Sequence, residues 1–476
     1  MLNIKKNLAY SSASTLLQLY SGSIVIILLA KLLEIEEFGD FAFGVSLSGI
    51  ISTCAEFGFS LMTLRDIPQK RYAQQPYVIN VLFQKTIISI VVFLMGLIYL
   101  YVFIGSGSKG FWIKILFLID GVILSYCTYF IALLQSVGRF NHETRAAFVN
   151  AVLLSLMILL LVYMHVSFTI ICVIFVLTHF LRLSWLLVGV GKFISFKTPL
   201  LDATIQKYLL KNSWSFGLHF VLGTLYFTID AQIIYVFLGN AQLALYDAAF
   251  RIVTVVLLIT NVLMQVFLPY LSAKFTTRDV SFDRIVIWLL NLLLFIGYYF
   301  ALLVCVFDKQ IVLMLYREEF LGLAPLLVPL LLVCVLRSVA GLYGTLLTLS
   351  HHQITRVKAV LGSLLVSVAA NGLLIPHYGI KGAALASLIT HTFLVTVYII
   401  STKKVYSNHY ISRSAVALLT AIVASLILVR SFPEHAITGF VAILIVTAIY
   451  LCIIYKDVKS AWRVMFLDQG ISHTQT

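Results

Sequence analysis

Charged side chains inside long apolar runs are the residues of this chain that could do chemistry. A buried guanidinium presents five fixed donors, which suit a phosphate or a carboxylate ligand, and a buried carboxylate can balance an arginine or take up a coupling ion. Uncompensated charge in mid-bilayer costs roughly 2.5–3.5 kcal/mol, so such residues are expected to face a bundle interior or a cavity. The predicted substrate contacts are Arg182, Arg251 and Arg337, and the predicted coupling or counter-charge residues are Glu56, Asp120 and Asp230.

Polar residues recur at helical spacing beside these charges. We interpret them as the walls of one polar cavity, with Gln18 and Asn261 as further substrate contacts. The alternative is that small and hydroxyl residues let membrane helices approach one another closely. The stripes are Ser11, Thr15, Gln18 and Gly22; Ser48, Ser52, Glu56 and Ser60; His219, Gly223, Tyr226 and Asp230; and Asp247, Arg251, Thr254, Asn261 and Gln265.

Asp230 and Arg251 are predicted to lie at similar depth on antiparallel neighbours. Asp230 is about 12 Å from the end of its apolar run and Arg251 about 9 Å from the start of the next, at 1.5 Å per residue. The pair is either a static ion pair that lets both residues exist in the membrane, or one that opens when an anion or a proton competes for it.

Arg337 and Arg182 each have two interpretations. Arg337 lies twelve residues after Pro325 and has no carboxylate in its own run, so it either anchors an anionic ligand or pairs with Asp120, Glu56 or backbone carbonyls. Arg182 either faces the cavity or extends to the inner membrane interface.

The composition is that of a polytopic membrane protein. Hydrophobic residues make up 61% of the 476 residues and charged residues 11%, with a mean hydropathy of +1.03, whereas soluble domains carry roughly 25% charged residues. The six cysteines have no metal-ligand spacing, and no GxxxxGK[ST] phosphate loop occurs. We therefore predict no cofactor, no metal and no enzymatic activity.

Fourteen apolar runs predict an all-α fold of about 14 transmembrane helices, within a range of 12 to 14. Two pseudo-symmetric six-helix lobes, 1–191 and 212–402, would surround a central cavity, followed by two additional spans in 413–455 and a cytoplasmic tail, 456–476. The runs are 9–33, 41–64, 81–104, 111–136, 147–164, 168–191, 212–238, 245–269, 285–307, 325–350, 358–376, 382–402, 414–430 and 436–455.

The distribution of lysine and arginine sets the predicted orientation. With the N-terminus inside, 23 of the 33 Lys and Arg residues fall on the cytoplasmic side, seven on the other side and three within spans. This is the positive-inside bias of a protein with both termini in the cytoplasm. The net charge of +14 therefore reports topology and contact with anionic lipid, and no nucleic-acid partner is predicted.

The two halves contain related segments. "LLEIEEFGDFAFGVSL" (32–47) aligns with "FLGNAQLALYDAAFRI" (237–252) at a shift of 205 residues. Because six predicted spans separate them, the repeats have parallel topology, as expected for two lobes around a central site.

Several stretches resemble the polysaccharide-repeat flippases of the MOP transporter superfamily, the Wzx or O-antigen transporter group. They are "EEFGDFAFGVSLSGIISTCAEFGFSLMTLRDIP", "IDAQIIYVFLG" followed by "YDAAFRI", and "PHYGIKGAALASLITH". The resemblance implies alternating access in the bacterial inner membrane, with ion coupling and an undecaprenyl-pyrophosphate-linked oligosaccharide as the cargo. Matched positions are Glu56, Arg65, Asp230 and Arg251, with Arg65 as a further substrate contact. It also implies a polysaccharide polymerase and a chain-length regulator as partners.

Two other functions compete with this one. A MATE-like exporter of small soluble substrates fits the net-basic set of buried charges poorly when the substrate is a cation. A membrane-embedded polysaccharide polymerase or ligase needs a large periplasmic catalytic loop, whereas the longest predicted outer segment runs only from Asp308 to Ala324.

Overall fold

A computed structural model describes residues 10, 13–18, 20–107, 110–164, 166–191, 201–277, 280–403 and 448. These residues form helices joined by short turns, with no strand among them, which confirms the all-α prediction. The predicted spans 414–430 and 436–455, apart from residue 448, and the tail 456–476 lie outside the described residues.

Twelve helices make up the described part of the chain. Nine helices there are long and apolar enough to cross a membrane, or ten if one bent helix is counted as a span, so the number fourteen stays a prediction. The helices are α1 (Ala13–Leu32), α2 (Ile35–Glu56), α3 (Phe59–Asp66), α4 (Gln74–Phe103), α5 (Phe111–Ser136), α6 (Phe140–Met164), α7 (Phe168–Gly191), α8 (Ala203–Leu238), α9 (Asn240–Thr277), α10 (Val280–Leu315), α11 (Ala324–Leu349) and α12 (Gln353–Lys403).

The chain divides into two compact units, Met1–Asp247 and Ala248–Thr476. In the first unit α5 packs against α2, α4 and α7, and α8 packs along α2 and α4. In the second unit α11 packs against α10 and α12. The predicted lobe boundaries, 1–191 and 212–402, and the central cavity between the lobes stay predictions.

The prediction of one continuous helix over 41–64 is wrong, because the chain breaks after Glu56. Phe57 and Gly58 have φ of 48° and 82°, in the left-handed region, and α3 starts at Phe59. Gly58 packs directly on α8: a Cβ there would lie 2.5 Å from Cβ of Phe216 and 2.8 Å from the backbone nitrogen of Gly217. The break therefore gives α8 a backbone-to-backbone contact that a regular helix with side chains would prevent.

One further irregularity falls at a predicted boundary, and another, the bend in α9, falls inside the predicted span 245–269. Gly379 has φ of 57° inside α12 and falls between the predicted spans 358–376 and 382–402, so α12 comprises both of them. The axis of α9 bends by 42° between Asn240–Thr254 and Val256–Met264. Helix α2 begins at Ile35 and α9 at Asn240, and 240 − 35 = 205 is the shift of the sequence repeat.

Candidate functional site

A carboxylate, an imidazole and a hydroxyl join three helices inside the first unit. Asp120 on α5 is 1% exposed and accepts a hydrogen bond from Ser48 Oγ on α2 at 2.7 Å. Its other oxygen lies 2.7 Å from Nδ1 of His179 on α7. Around them the rings of Phe41, Phe117 and Phe175 exclude water. A carboxylate–imidazole pair in such a setting can hold or release a proton.

Glu56 lies at the break between α2 and α3. One carboxylate oxygen accepts from the backbone N–H of Gly58 at 2.8 Å and the other from the backbone N–H of Ser60. Glu56 therefore caps the N-terminus of α3, where two donors would otherwise have no helical acceptor and the helix dipole favours negative charge. Its predicted coupling role stays a prediction.

Lys85 is a functional candidate that the sequence prediction missed. The charge distribution assigns it to the cytoplasmic side, but it lies within α4 and is 0% exposed. Its ammonium donates to the carbonyl of Ala55 at 3.2 Å and to Ser125 Oγ, and it lies over the ring of Tyr126 at 5.1 Å. Lys85 lies three turns inside α4, because that helix begins at Gln74, seven residues before the predicted start at 81.

Lys114, assigned to the outer side by the same distribution, is also buried, at 2% exposure. Without these two residues the split becomes 23 − 1 = 22 against 7 − 1 = 6, so the predicted orientation is unchanged.

Arg182 is buried within the first unit, and both interpretations of its role, contact with the cavity and extension to the inner membrane interface, stay predictions. The residue is 9% exposed, and its Nε has no hydrogen-bond partner among the described residues. Glu143 on α6 is close enough to act on its charge. Glu143 itself accepts from Ser14 Oγ at 2.9 Å, and Gln18 donates to that same hydroxyl at 3.0 Å.

Arg65 belongs to a cluster at the end of α3 that the charge distribution predicts to be cytoplasmic. We name Arg65, Asp66, Tyr77 and Tyr208 the inner-end cluster. Asp66 is 1% exposed and accepts from Arg65 Nε at 2.7 Å, from the hydroxyl of Tyr208 at 2.9 Å and from that of Tyr77 at 3.1 Å. The hydrogen bond to Asp66 raises the pKa of the Arg65 guanidinium above its ordinary value, so Arg65 stays charged.

A related cluster lies at the opposite end of α8. We name Asp40, Lys114 and Tyr235 the outer-end cluster. The hydroxyl of Tyr235 donates to Asp40 Oδ1 at 2.6 Å, and the Lys114 ammonium lies 3.4 Å from the same oxygen. Both clusters thus attach α8 to its neighbours through a tyrosine, an aspartate and a cation.

In the second unit Arg337 lies half-buried on α11. Its guanidinium is stacked 5.0 Å from the ring centroid of Phe250 on α9, and His391 on α12 is within electrostatic range. The next residue, Ser338, donates to Thr260 Oγ1 at 3.1 Å and ties α11 to α9. The stacking on Phe250 orients the plane of the guanidinium.

The remaining predicted residues are placed as follows. Asp230 is 9% exposed and accepts from the hydroxyl of Tyr246 at 3.3 Å, whereas Arg251 is half-buried on the first segment of α9 and Asn261 is exposed on the second. The pairing of Asp230 with Arg251 stays a prediction. No group of three or more His, Cys, Asp or Glu residues within the described ranges is arranged to hold a metal ion.

Apolar helices of membrane-spanning length with buried, internally bonded charges define a multi-pass membrane transport protein. The fold agrees with a solved lipid II flippase MurJ in an inward closed conformation, at TM-score 0.73 and 13% identity over 95% of this chain and 99% of that one. It also agrees with an inward-facing multidrug resistance MATE family transporter of the MOP superfamily, at TM-score 0.64 and 16% identity over 82% and 94%. A MOP superfamily transporter from Pyrococcus furiosus, described as having a binding pocket of reverse polarity, matches at TM-score 0.53 and 13% identity over 84% and 93%.

Residues 4–275 match the family described as polysaccharide biosynthesis protein, and the chain belongs to that family. Its resemblance to MOP superfamily flippases is therefore confirmed. No curated protein matches its sequence significantly.

Proposed function

We propose that the protein is a flippase that moves undecaprenyl-pyrophosphate-linked oligosaccharides, such as O-antigen repeat units, from the cytoplasmic to the periplasmic leaflet by alternating access. The observation that carries this proposal is the conjunction of polysaccharide-biosynthesis family membership with a lipid-flippase-like fold over 95% of the chain. The protein makes and breaks no bonds in this proposal. It lies in the bacterial inner membrane with both termini cytoplasmic, and a polymerase and a chain-length regulator work beside it.

The chemistry of this cargo fits the buried charges. Each sugar hydroxyl that enters bare lipid loses hydrogen bonds to water, at roughly 1–3 kcal/mol by protein estimates, and a pyrophosphate loses far more. Arg337, whose guanidinium is stacked on Phe250, is our proposed pyrophosphate contact, because a guanidinium suits a phosphate ligand. Arg251 and Arg182 are further proposed contacts.

For ion coupling we propose the pair of Asp120 and His179. A proton that binds there changes the charge at the junction of α2, α5 and α7, where the pair and Ser48 are hydrogen-bonded. A ligand can drive a conformational change only when it binds the two states with unequal affinity. A proton bound at a junction of three helices meets this condition if the helices pack differently in the two states.

The test is the accumulation of undecaprenyl-linked oligosaccharide in a strain that lacks the gene, complemented with wild type, Arg337→Gln or Arg317→Gln. The matched control Arg317 is exposed and pairs with Glu319 at 3.5 Å before α11, so its loss removes the same charge from the surface. We expect wild type and Arg317→Gln to clear the intermediate and Arg337→Gln to leave it accumulated at equal protein level.

The competing function predicts another outcome. The MATE-like fold similarity favours an exporter of small soluble substrates as the second candidate. Normal lipid intermediates in the deletion strain, together with lost export of a soluble compound, would establish the exporter. Full rescue by Arg337→Gln would keep the flippase and remove Arg337 from its mechanism.

A further inference from the structure

Two exposed cations, Lys70 and Arg71, lie on the turn between α3 and α4. Neither forms an ion pair within the part of the chain that the structure describes. The neighbouring carboxylate, Asp66, is 1% exposed and already accepts from Arg65, Tyr77 and Tyr208. The turn therefore presents positive charge that no carboxylate among the described residues neutralises.

The backbone of this turn is fixed by hydrogen bonds. The N–H of Lys70 donates to the carbonyl of Ile67 at 3.0 Å, and the N–H of Arg71 donates to the carbonyl of Asp66 at 3.3 Å. Lys70 has φ of 53°, in the left-handed region that residues with a Cβ seldom adopt. The two bonds form a Schellman cap, so the left-handed Lys70 is the capping residue at the end of α3 and fixes the backbone that carries Arg71.

The guanidinium of Arg71 is oriented by an aromatic face. It lies 4.4 Å from the ring centroid of Tyr208, whose hydroxyl is held by Asp66 at 2.9 Å and by Arg65 at 2.7 Å. The ring of Tyr72 packs on Tyr208 at 5.5 Å between centroids. Stacking uses the face of the guanidinium and leaves its N–H edge to bind oxygen atoms, which is the arrangement that suits a phosphate.

Helix α8 adds charge and an apolar surface beside this edge. Lys211 follows Tyr208 by three residues, which places the two on one face of α8. Leu210 and Trp214 are 63% and 58% exposed, and Trp214 follows Lys211 by three residues, so α8 presents a large apolar side chain beside Lys211. A ligand that joins an anion to an apolar chain matches both features.

We propose that Lys70, Arg71 and Lys211 bind the phosphate of a membrane lipid at the cytoplasmic end of α3 and α8. The ligand chemistry is a lipid-borne phosphate or diphosphate, and the choice of a polyprenyl diphosphate as the first ligand rests on the proposed function. This site receives the headgroup at the membrane surface and is separate from the buried contact at Arg337. An ordinary excess of cytoplasmic charge, by contrast, does not require a guanidinium that is stacked on an aromatic ring.

The experiment measures lipid binding to the purified full-length protein by native mass spectrometry. The probes are undecaprenyl diphosphate, phosphatidylglycerol and, as the uncharged control, undecaprenol. The variants are Arg71→Gln and Lys70→Gly, the latter because glycine keeps the left-handed turn without strain while the ammonium is removed. The matched control is Lys358→Gln, an exposed cation near the start of α12.

We expect each variant to bind undecaprenyl diphosphate about tenfold more weakly than wild type, because a charge-assisted hydrogen bond is lost, and Lys358→Gln to bind as wild type does. Undecaprenol should bind all four proteins equally. If phosphatidylglycerol competes as well as undecaprenyl diphosphate, the site stands and its occupant is a bulk phospholipid; if it does not, the occupant is the polyprenyl diphosphate.

Binding within twofold of wild type by both Arg71→Gln and Lys70→Gly would overturn the site. Unaltered thermal unfolding of Lys70→Gly separates a binding defect from a folding defect. The proposed function fails independently: a deletion strain with normal lipid-linked oligosaccharides removes the flippase even when the purified protein shows the expected binding differences.

Discussion

Each end of α8 is attached to the first unit through an aspartate, a cation and tyrosine, but the arrangements differ. At the inner end Asp66 is 1% exposed and has three side-chain donors, whereas at the outer end the Asp40 side chain is 19% exposed and accepts from Tyr235 and Lys114. The cation is placed differently too: Arg65 is 36% exposed, whereas Lys114 is 2% exposed. The more buried partner of the ion pair is thus the aspartate at the inner end and the lysine at the outer end.

This difference indicates which end of α8 is more firmly held. Removing the donors of a buried carboxylate costs much free energy. We therefore expect the hydrogen bonds of the inner-end cluster to be kept together or lost together. Near it, Gln206 on α8 exchanges hydrogen bonds with Asn80 and Gln84 on α4 at 2.6–2.8 Å. The outer-end cluster has fewer partners and an acid already in contact with solvent. If α8 separates from its neighbours during transport, we expect it to separate at the outer end.

The largest expected effect comes from linking α8 to its neighbour at the outer end, in a cysteine-free background. Ser46 and Gln232 are hydrogen-bonded at 3.1 Å in the outer half, and Gln84 and Gln206 at 2.6 Å in the inner half. We expect a short bifunctional link between Cys residues at 46 and 232 to abolish clearance of lipid-linked oligosaccharide. The same link between Cys residues at 84 and 206 should leave most of the clearance intact. The reverse pattern would contradict the expectation that α8 separates at its outer end.

Asp66→Asn has the next largest expected effect. It removes the charged acceptor of three donors, and breaking one side of a buried charged network typically destabilises by about 3–5 kcal/mol. We expect a much lower thermal unfolding midpoint and a poor yield of folded protein. Asp40→Asn, at the partly exposed site, should lower the midpoint clearly less, and equal losses would mean that burial does not distinguish the ends.

Substitution of Tyr208 or Tyr235 by Phe compares the two ends directly, with a smaller expected effect on stability. Each Phe substitution removes one hydrogen bond to a carboxylate, worth about 1.5–3 kcal/mol. Tyr208→Phe also removes the hydroxyl that accepts from Arg65 at 2.7 Å, but the Arg65 side chain is 36% exposed and can donate to water instead. Tyr235→Phe should be the more damaging, because Asp40 then keeps only the Lys114 contact, whereas Asp66 in Tyr208→Phe keeps Arg65 and Tyr77. Thermal unfolding of both variants at equal lipid content measures the difference, and a larger loss in Tyr208→Phe would reverse the order.

Arg65→Gln should have the smallest effect on stability, because Asp66 keeps the hydroxyl donors of Tyr77 and Tyr208 and the glutamine amide can still donate to it. An ion pair whose cation is about a third exposed contributes about 0–1 kcal/mol, and that contribution falls as salt rises. Because the folded pKa of Arg65 is raised, the contribution is fully present below the unfolded arginine pKa and is lost only above it. The difference in unfolding free energy between Arg65→Gln and wild type should therefore be constant between about pH 5 and 9. A difference that changes with pH would show that a second group titrates together with Arg65.

Periodicity and hydropathy predicted the helices, because the spacing of apolar residues is a local property of the sequence. The repeat shift of 205 predicted the equivalent starts of α2 and α9 for the same reason. The break at Phe57 was missed because its cause is distant: Gly58 is packed against Phe216 and Gly217 on another helix.

The site was only partly predictable for a related reason. Sequence shows that Asp120 is a carboxylate in an apolar run, but its partner His179 is 59 positions away and was not paired with it. Asp66 was not considered because it ends a predicted span, where a charge is ordinary, and its donor Tyr208 is 142 positions away. Lys85 was assigned to the surface because a run of apolar residues does not reveal how far a helix extends beyond it.

The buried position of Lys85 has a consequence for how the protein is made. Its side-chain acceptor Ser125 lies 40 residues further along the chain, and at about 5–20 residues per second the ribosome needs roughly 2–8 s to synthesise that interval. During that time α4 carries a lysine whose side-chain partner has not yet been made. Helix α4 should therefore remain beside the insertion machinery until α5 emerges, and the two should enter the bilayer as a pair.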